Sequence, residues 1–354
     1  MNEDRLNAFV NQLVGDMVVS MSGVMTSIGH RLGLYKAMAG AGPTTPSQLA
    51  QKTGTRERYI LEWLNSQAAS GYVTYDPKQR TYELPDEHAM VLANPESPVF
   101  MAAAFDSIAS MWLDEDKVIN AFQTGRGIGW HEHHHRLFCG CEAFYKTGYK
   151  ASLTTNWIPA LEGVEEKLKA GALVADVGCG HGASTILMAQ AYPNSKFFGF
   201  DYHNESITVA RQRATEAGVS DRIQFEVAHA KNFPGTNYDL VCFMDCLHDL
   251  GDPVGAAKHT KEVLAEDGTV LLVEPFAGNS IEENLNPVGR MFYSASTAIC
   301  TPNSLSQEVG LGLGAQAGEA RLLVLLGLTS QFLIKREFYL CFQKFHRSLK
   351  PWGR

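Results

Sequence analysis

Six side chains able to carry charge or move a proton stand where predicted strands end: Asp176, Asp201, His229, Asp245, His248 and Glu274. In an open parallel sheet, ligands lie beyond the carboxyl ends of the strands, so the six converge on one edge. Carboxylates there can hold hydroxyl or ammonium groups, and a histidine titrates close enough to neutrality to take a proton. The elements that position them are clearest around Asp176. Apolar residues 172–177 predict a buried strand, Gly178-Cys179-Gly180-His181-Gly182 a turn, and Ala183 through Ala191 a helix. A second strand, Lys196-Phe197-Phe198-Gly199-Phe200, ends on Asp201. Glycines let the main chain come close to a ligand because no Cβ stands in the way. The helix start offers free N–H groups, and an acid ending the second strand suits both hydroxyls of a ribose. The unit predicts a site for a nucleoside-containing cofactor.

Two cofactor classes compete. Gly178-x-Gly180-x-x-Ala183 satisfies the dinucleotide fingerprint, which would make the chain a nicotinamide-dependent oxidoreductase. Against that, Asp176 lies two residues before the first glycine, where its charge repels a pyrophosphate and suits a cationic amino-acid group. The glycine alternation also runs on to Gly182, and the unit begins near residue 172 and not at the N-terminus. The segment resembles the first motif, Asp/Glu-x-Gly-x-Gly-x-Gly, of class I S-adenosylmethionine-dependent methyltransferases. The resemblance implies S-adenosylmethionine as cofactor. Asp176 would face its amino group, and Gly178, Gly180 and Gly182 would give it room. Asp201 would hold the ribose, and His229 and Phe233 would lie near the adenine. Cys179, Tyr202, Ala230 and Asp245 complete the cofactor-side set. Many such enzymes carry an Asp where this chain has His229; a neutral ring nitrogen can still accept one hydrogen bond.

Further strand–helix–strand repeats follow: strands at 221–227, 238–244 and 268–273, helices at 206–217 and 254–264. They imply a parallel sheet with right-handed crossovers. Leu247-His248-Asp249 resembles the "LHDW" motif of plant-type O-methyltransferases, with Leu250 in place of the Trp, and Glu274-Pro275 resembles their "VEP" position. The resemblance makes His248 the general base, aided by Asp249 or Glu274, for methyl transfer to a small-molecule acceptor, an oxygen first of all. In-line transfer from a sulfonium needs little beyond alignment, and a hydroxyl nucleophile gains from a base of near-neutral pKa. Asn284 to Pro302 reads as a substrate-side insertion. The tail 327–354 departs from the pattern: it shows no turn residues between its apolar runs, and six Lys or Arg after residue 330 against Glu337 alone.

Toward the N-terminus, Leu6, Phe9, Val10, Leu13, Val14 and Met17 recur at helical spacing. Thr45-Pro46 opens a helix as N-cap and first residue. A third helix runs from Arg58 to Ala69, and Gly71–Tyr75 with Thr81–Leu84 flank a hairpin turn. Helix–turn–helix plus hairpin predicts a winged helix. Arg56, Glu57, Arg58, Glu62 and Trp63 give the would-be recognition helix mixed charge, whereas a DNA reader carries surplus Lys and Arg. "LGLYKAM", "TPSQLA" and "LNSQAASGYV" resemble the N-terminal dimerisation domain of plant-type and hydroxyindole-type O-methyltransferases, which implies a homodimer. Residues 95–165 read as a helical connector, with helices at 100–119 and at 152–168, the second broken by Pro159; by resemblance it closes over the substrate. His131, Glu132, His133, His134, His135, Cys139 and Cys141 invite a zinc reading, but the Cys-x-Cys spacing does not suit structural zinc. The expectation is a solvated loop and no metal.

The 354 residues allow two domains with a bridge, and 45% hydrophobic content allows a sizeable core. A net charge of −8 argues against a nucleic-acid binder. The start, Met-Asn-Glu-Asp, shows no basic region of a signal peptide. No run of eighteen apolar residues is seen, so no membrane span is expected. Seven cysteines fit reduced thiols in a cytoplasmic enzyme. The expected architecture is a mainly helical winged-helix domain (1–95), a connector (96–165) and an α/β, Rossmann-like class I methyltransferase domain (166–354) with a mostly parallel, doubly wound sheet. A catalytically inactive cofactor binder, or a winged-helix regulator, is the non-enzyme alternative.

Overall fold

The computed structural model describes residues 1–327 and 332–334. It divides into two compact units: Met1–Ser110 with His135–Thr147, and Met111–His134 with the chain from Gly148 onward. The expected connector is therefore shared between two units and forms no segment of its own.

In the first unit, α1 (Glu3–Arg31), α2 (Leu34–Met38), α3 (Pro46–Thr53) and α4 (Glu57–Ala69) precede a hairpin of β1 (Thr74–Asp76) and β2 (Thr81–Glu83), then α5 (Asp86–Leu92). Thr45 and Gln48 close a capping box at the start of α3, each satisfying an orphan N–H of the other's backbone. The core gathers Leu34, Tyr35, Leu49, Ile60, Trp63, Leu64, Tyr82 and Leu84. Trp63 is buried and donates its indole N–H to the Met25 carbonyl at 2.9 Å. Arg58 pairs with Glu62 on its own helix. The helix thus offers DNA little free positive charge.

Only the end of α1 enters that core. Gly29 lies where a Cβ would come within 2.5 Å of the Trp63 ring, whereas most of the helix before Gly23 is exposed. By length and composition alone α1 is long and apolar enough to cross a membrane.

The expected helix over 100–119 is broken at Asp114 into α6 (Phe105–Leu113) and α7 (Glu115–Thr124). The Asp114 carboxylate takes hydrogen bonds from Lys117 Nζ, the His134 N–H and the His133 ring, which hold the break. α8 (Arg136–Ser152) ends in a wide π turn over Leu153–Trp157, and α9 (Val164–Ala170) starts after Gly163, so the helical stretch 152–168 is interrupted around Pro159, as expected.

The second unit holds β3 (Leu173–Val177), α10 (Ala183–Ala191), β4 (Lys196–Asp201), α11 (Asn204–Glu216), β5 (Ile223–Val227), β6 (Tyr238–Met244), α12 (Pro253–Val263) and β7 (Leu264–Val273). The sheet order is β5-β4-β3-β6-β7-β8, every neighbour parallel, with β8 at Phe332–Ile334. The expected α/β fold and strand boundaries agree to within a few residues. Order reverses between β3 and β6, the switch point at which such sheets open a crevice. β3 is buried along nearly its whole length, as a central parallel strand must be. The core joins Val177, Phe200, Val241, Phe243 and Leu272. Beyond β7 come α13 (Ile281–Asn284), α14 (Pro287–Ala295), a π turn over Ser296–Cys300, α15 (Thr301–Ser306) and α16 (Glu319–Leu326). Apart from Gly327 and β8, the atypical tail lies outside the described residues.

Candidate active site

The glycine turn does what its sequence requires, though only one of its glycines makes room for a ligand. Gly178, Gly180 and Gly182 all have positive φ. A Cβ on Gly178 would stand 2.6 Å from Cys246 Sγ, and one on Gly182 would stand 2.6 Å from the Phe225 ring. Those two glycines are fixed by packing inside the protein. At Gly180 a Cβ would meet nothing within 4 Å. The expectation that all three open the backbone to a ligand is corrected to Gly180. Cys179 is buried, and burial, then Asp201 and Asp176, push its thiol well up.

Asp176 is fully buried and accepts hydrogen bonds from Ser184 Oγ and Thr185 Oγ1, both at 2.6 Å. It fastens the first turn of α10 to the end of β3. One oxygen is committed to the helix, and the other is buried without a hydrogen bond among the described residues. Burial raises its pKa against the pull of the two hydroxyls.

Asp201, at the end of β4, accepts from the Gly180 N–H and the His203 N–H, each at 2.9 Å. Two backbone bonds fix the carboxylate beside the open glycine and leave acceptor capacity unused. Burial raises its pKa, with those amides opposing. Tyr202 lies parallel to His229, ring centroids 6.0 Å apart, and its hydroxyl donates to Asn303 Oδ1 at 3.1 Å. His229 is exposed and Ala230 half-buried. Phe233 is 1% exposed and packs among Phe200, Tyr238 and His259.

His248, Asp249 and Glu274 come together. A single helical turn at Leu247–Asp249 follows β6 and brings the imidazole over the end of β7. His248 Nδ1 lies 2.5 Å from Glu274 Oε2, and the other Glu274 oxygen accepts the Leu247 N–H at 2.9 Å. His248 Nε2 lies 3.2 Å from Asp249 Oδ1. Burial works against a charge on the ring, but Asp249 and Glu274 outweigh it and raise the pKa well above the ordinary value. A cleft over this group is lined by His248, Glu274, Pro275, Phe276, Gly314 and Leu322. Asp245, held at φ 53°, accepts from Tyr149 Oη at 2.8 Å. Burial, then Glu274, push its pKa well up.

Sequence reasoning missed three participants. Tyr149 reaches Asp245 from far along the chain, and no local pattern announces it. Cys300 ends the π turn and is buried against His248 and Asp249. His133, expected in a solvated loop, is 6% exposed and bonds through Nδ1 to Asp114 Oδ2 at 3.1 Å. Its burial corrects the solvated-loop reading.

Residues 20–94 match the model of the Rv2258c-like winged HTH domain, and residues 168–310 match that of a methyltransferase domain. Among curated proteins, the 27-O-demethylrifamycin SV methyltransferase of Amycolatopsis mediterranei is 32% identical over 107 residues, 30% of this chain and 39% of that protein. The chain spans less than half the length of the curated relatives it matches. Among solved structures, mitomycin 7-O-methyltransferase aligns with TM-score 0.63 at 18% identity, covering 92% of each chain. Human N-acetylserotonin methyltransferase, solved with S-adenosylmethionine, aligns with TM-score 0.64 at 17% identity, covering 90% of this chain and 91% of that one. At these identities the likeness is one of fold.

Proposed function

From a chain that joins a winged helix–turn–helix domain to a class I methyltransferase domain, we propose an enzyme that moves a methyl group from S-adenosylmethionine to a hydroxyl oxygen of a small molecule. The observation that carries the reading is the imidazole of His248, gripped at Nδ1 by Glu274 beside an open cleft. The cofactor would supply a sulfonium methyl. Its fit rests on the empty space at Gly180 and on Asp201, whose carboxylate is aimed by two backbone amides and keeps lone pairs for ribose hydroxyls. His248 Nε2 would take the proton of the acceptor hydroxyl. Glu274 orients the ring and favours its charged form.

Calorimetry with S-adenosylhomocysteine should show one site per chain, lost in Asp201→Ala. Turnover with radiolabelled cofactor and a panel of hydroxylated small molecules should fall by about 10²–10⁴ in His248→Ala, with S-adenosylhomocysteine uptake kept. Absence of uptake by folded protein, or full turnover without the imidazole, would overturn the reading. The same reading carries a cytoplasmic homodimer joined through the N-terminal domain, whose α1 exposes Leu13, Met17 and Met21.

A further inference from the structure

We propose that Asn303 is a positioning residue for methyl transfer, tying the seat of the cofactor to the turn that carries His248. The proposal rests on the reading of Asp201 as the ribose acid and His248 as the base. Asn303 stands in α15, within the insertion that follows β7, and is 4% exposed. Its side-chain oxygen accepts the Tyr202 hydroxyl at 3.1 Å, and its amide nitrogen donates to the Asp249 carbonyl at 3.3 Å. Chemistry fixes the direction of both bonds. A main-chain carbonyl only accepts, so Nδ2 must face Asp249, which leaves Oδ1 for the phenol. Tyr202 follows Asp201 in the chain, and Asp249 follows His248. A single amide thus spans from the residue beside the ribose acid to the residue beside the base.

Both ends of this link are anchored. The Tyr202 hydroxyl accepts the Trp130 N–H at 3.3 Å, which turns its own proton toward Asn303. At the other end, the insertion holds the main chain after His248 group by group. Gln307 Nε2 joins Asn303 on the Asp249 carbonyl at 3.0 Å, and Ser304 Oγ donates to the Leu250 carbonyl at 2.7 Å. Gln307 Oε1 accepts the Gly251 N–H at 3.1 Å, and the Leu311 N–H bonds the Gly251 carbonyl at 2.9 Å. A Cβ on Gly251 would stand 2.5 Å from Gln307 Cβ, so this close approach requires glycine. A buried amide left half-paired is costly, which keeps the two Asn303 bonds together. In-line transfer depends on alignment, and a misplacement of about 1 Å can cost about 10²-fold in rate. A nucleoside gripped at Asp201 orders Tyr202, and Asn303 passes that order to the His248 turn. The coupling is reciprocal, as any linkage between two sites must be.

The first arm of the test needs no acceptor. S-adenosylhomocysteine is added to the full chain carrying nitrogen-labelled histidine, with calorimetry on the same sample. The His248 ring signals, identified by their loss in His248→Ala, should shift in wild-type protein and saturate at the calorimetric Kd. Asn303→Ala and Tyr202→Phe should each keep the affinity for S-adenosylhomocysteine while the shift at His248 largely disappears. Tyr202→Phe deletes one oxygen from a half-buried ring, so it carries the test if Asn303→Ala does not fold. In turnover with an acceptor from the panel, Asn303→Ala should lower kcat by about 10²-fold and leave KM for S-adenosylmethionine unchanged. The double variant should be no slower than Asn303→Ala alone, because both changes cut one link. A His248 shift that survives in both single variants, or losses that multiply in the double variant, would overturn the proposal and leave the methyl-transfer reading standing. No uptake of S-adenosylhomocysteine by folded wild-type protein would overturn that reading and this proposal with it.

Discussion

At the scale of single residues, the three glycines of the turn should respond differently to an added methyl group. Gly178→Ala and Gly182→Ala drive a Cβ into Cys246 and the Phe225 ring and should cost several degrees of thermal stability or prevent folding. Gly180→Ala meets nothing and should lose only about 1 kcal/mol for its positive φ. Its effect should fall on cofactor affinity, read by calorimetry. Equal destabilisation at all three positions would contradict this division. Asp245 gives a pH signature. Its pKa is raised in the folded chain by burial and then Glu274. Its favourable contribution is therefore fully present below the unfolded value of 3.8 and is lost as pH rises through the folded value. Asp245→Asn keeps a residue that tolerates positive φ and removes the buried charge. It should stabilise the fold at neutral pH by roughly 1 kcal/mol or more, read as a higher Tm, and change little at pH 3. An unchanged neutral Tm would mean that Asp245 has another cation to face.

At the scale of elements, α10 is held by a side chain that a sequence reader assigns to the ligand. Asp176 binds Ser184 and Thr185 at the start of the helix, next to the open glycine. Asp176→Ala should weaken S-adenosylhomocysteine binding without any lost contact to it, because the helix start is no longer fixed. The Ser184→Ala, Thr185→Ala double variant should reproduce much of that loss while the carboxylate remains. Full affinity in the double variant would return Asp176 to the role first read from sequence. The strands and helices of the α/β unit were legible because each declares itself locally: a buried apolar run, a glycine turn, an acid at the strand end. His248 and Glu274 were legible for the same reason, standing at ends of neighbouring strands. What stayed hidden depends on contacts between distant segments. Nothing near Tyr149 points to Asp245, and nothing near His133 points to Asp114. Phe233 stands on a loop at the ligand edge, and its packing against Phe200, Tyr238 and His259 is likewise unannounced by its neighbours in sequence.

At the scale of the whole molecule, the proposed dimer would be joined through α1. Leu6, Val10, Leu13, Met17, Met21 and Val24 follow one another at spacings of three and four, and each is exposed, Met17 by 56% and Met21 by 70%. Such a stripe is a seam awaiting a partner helix. It is self-complementary in one orientation. Laid antiparallel on a second copy with Met17 on the twofold axis, Leu13 faces Met21, Val10 faces Val24 and Leu6 faces Ile28. The same pairing sets Glu3 and Asp4 of one copy against Arg31 and His30 of the other, placing acid opposite base. At about 1.5 Å per residue the seam runs roughly 40 Å. Light scattering should therefore give a dimer at micromolar concentration, and Met17→Glu, which places two like charges on the axis, should give a folded monomer with unchanged S-adenosylhomocysteine binding. Arg31→Glu should weaken the dimer, and Glu3→Lys with Asp4→Lys in the same chain should restore it. Sedimentation of the wild-type chain with lipid vesicles, in place of dimer formation, would show instead that the stripe is covered by a membrane surface.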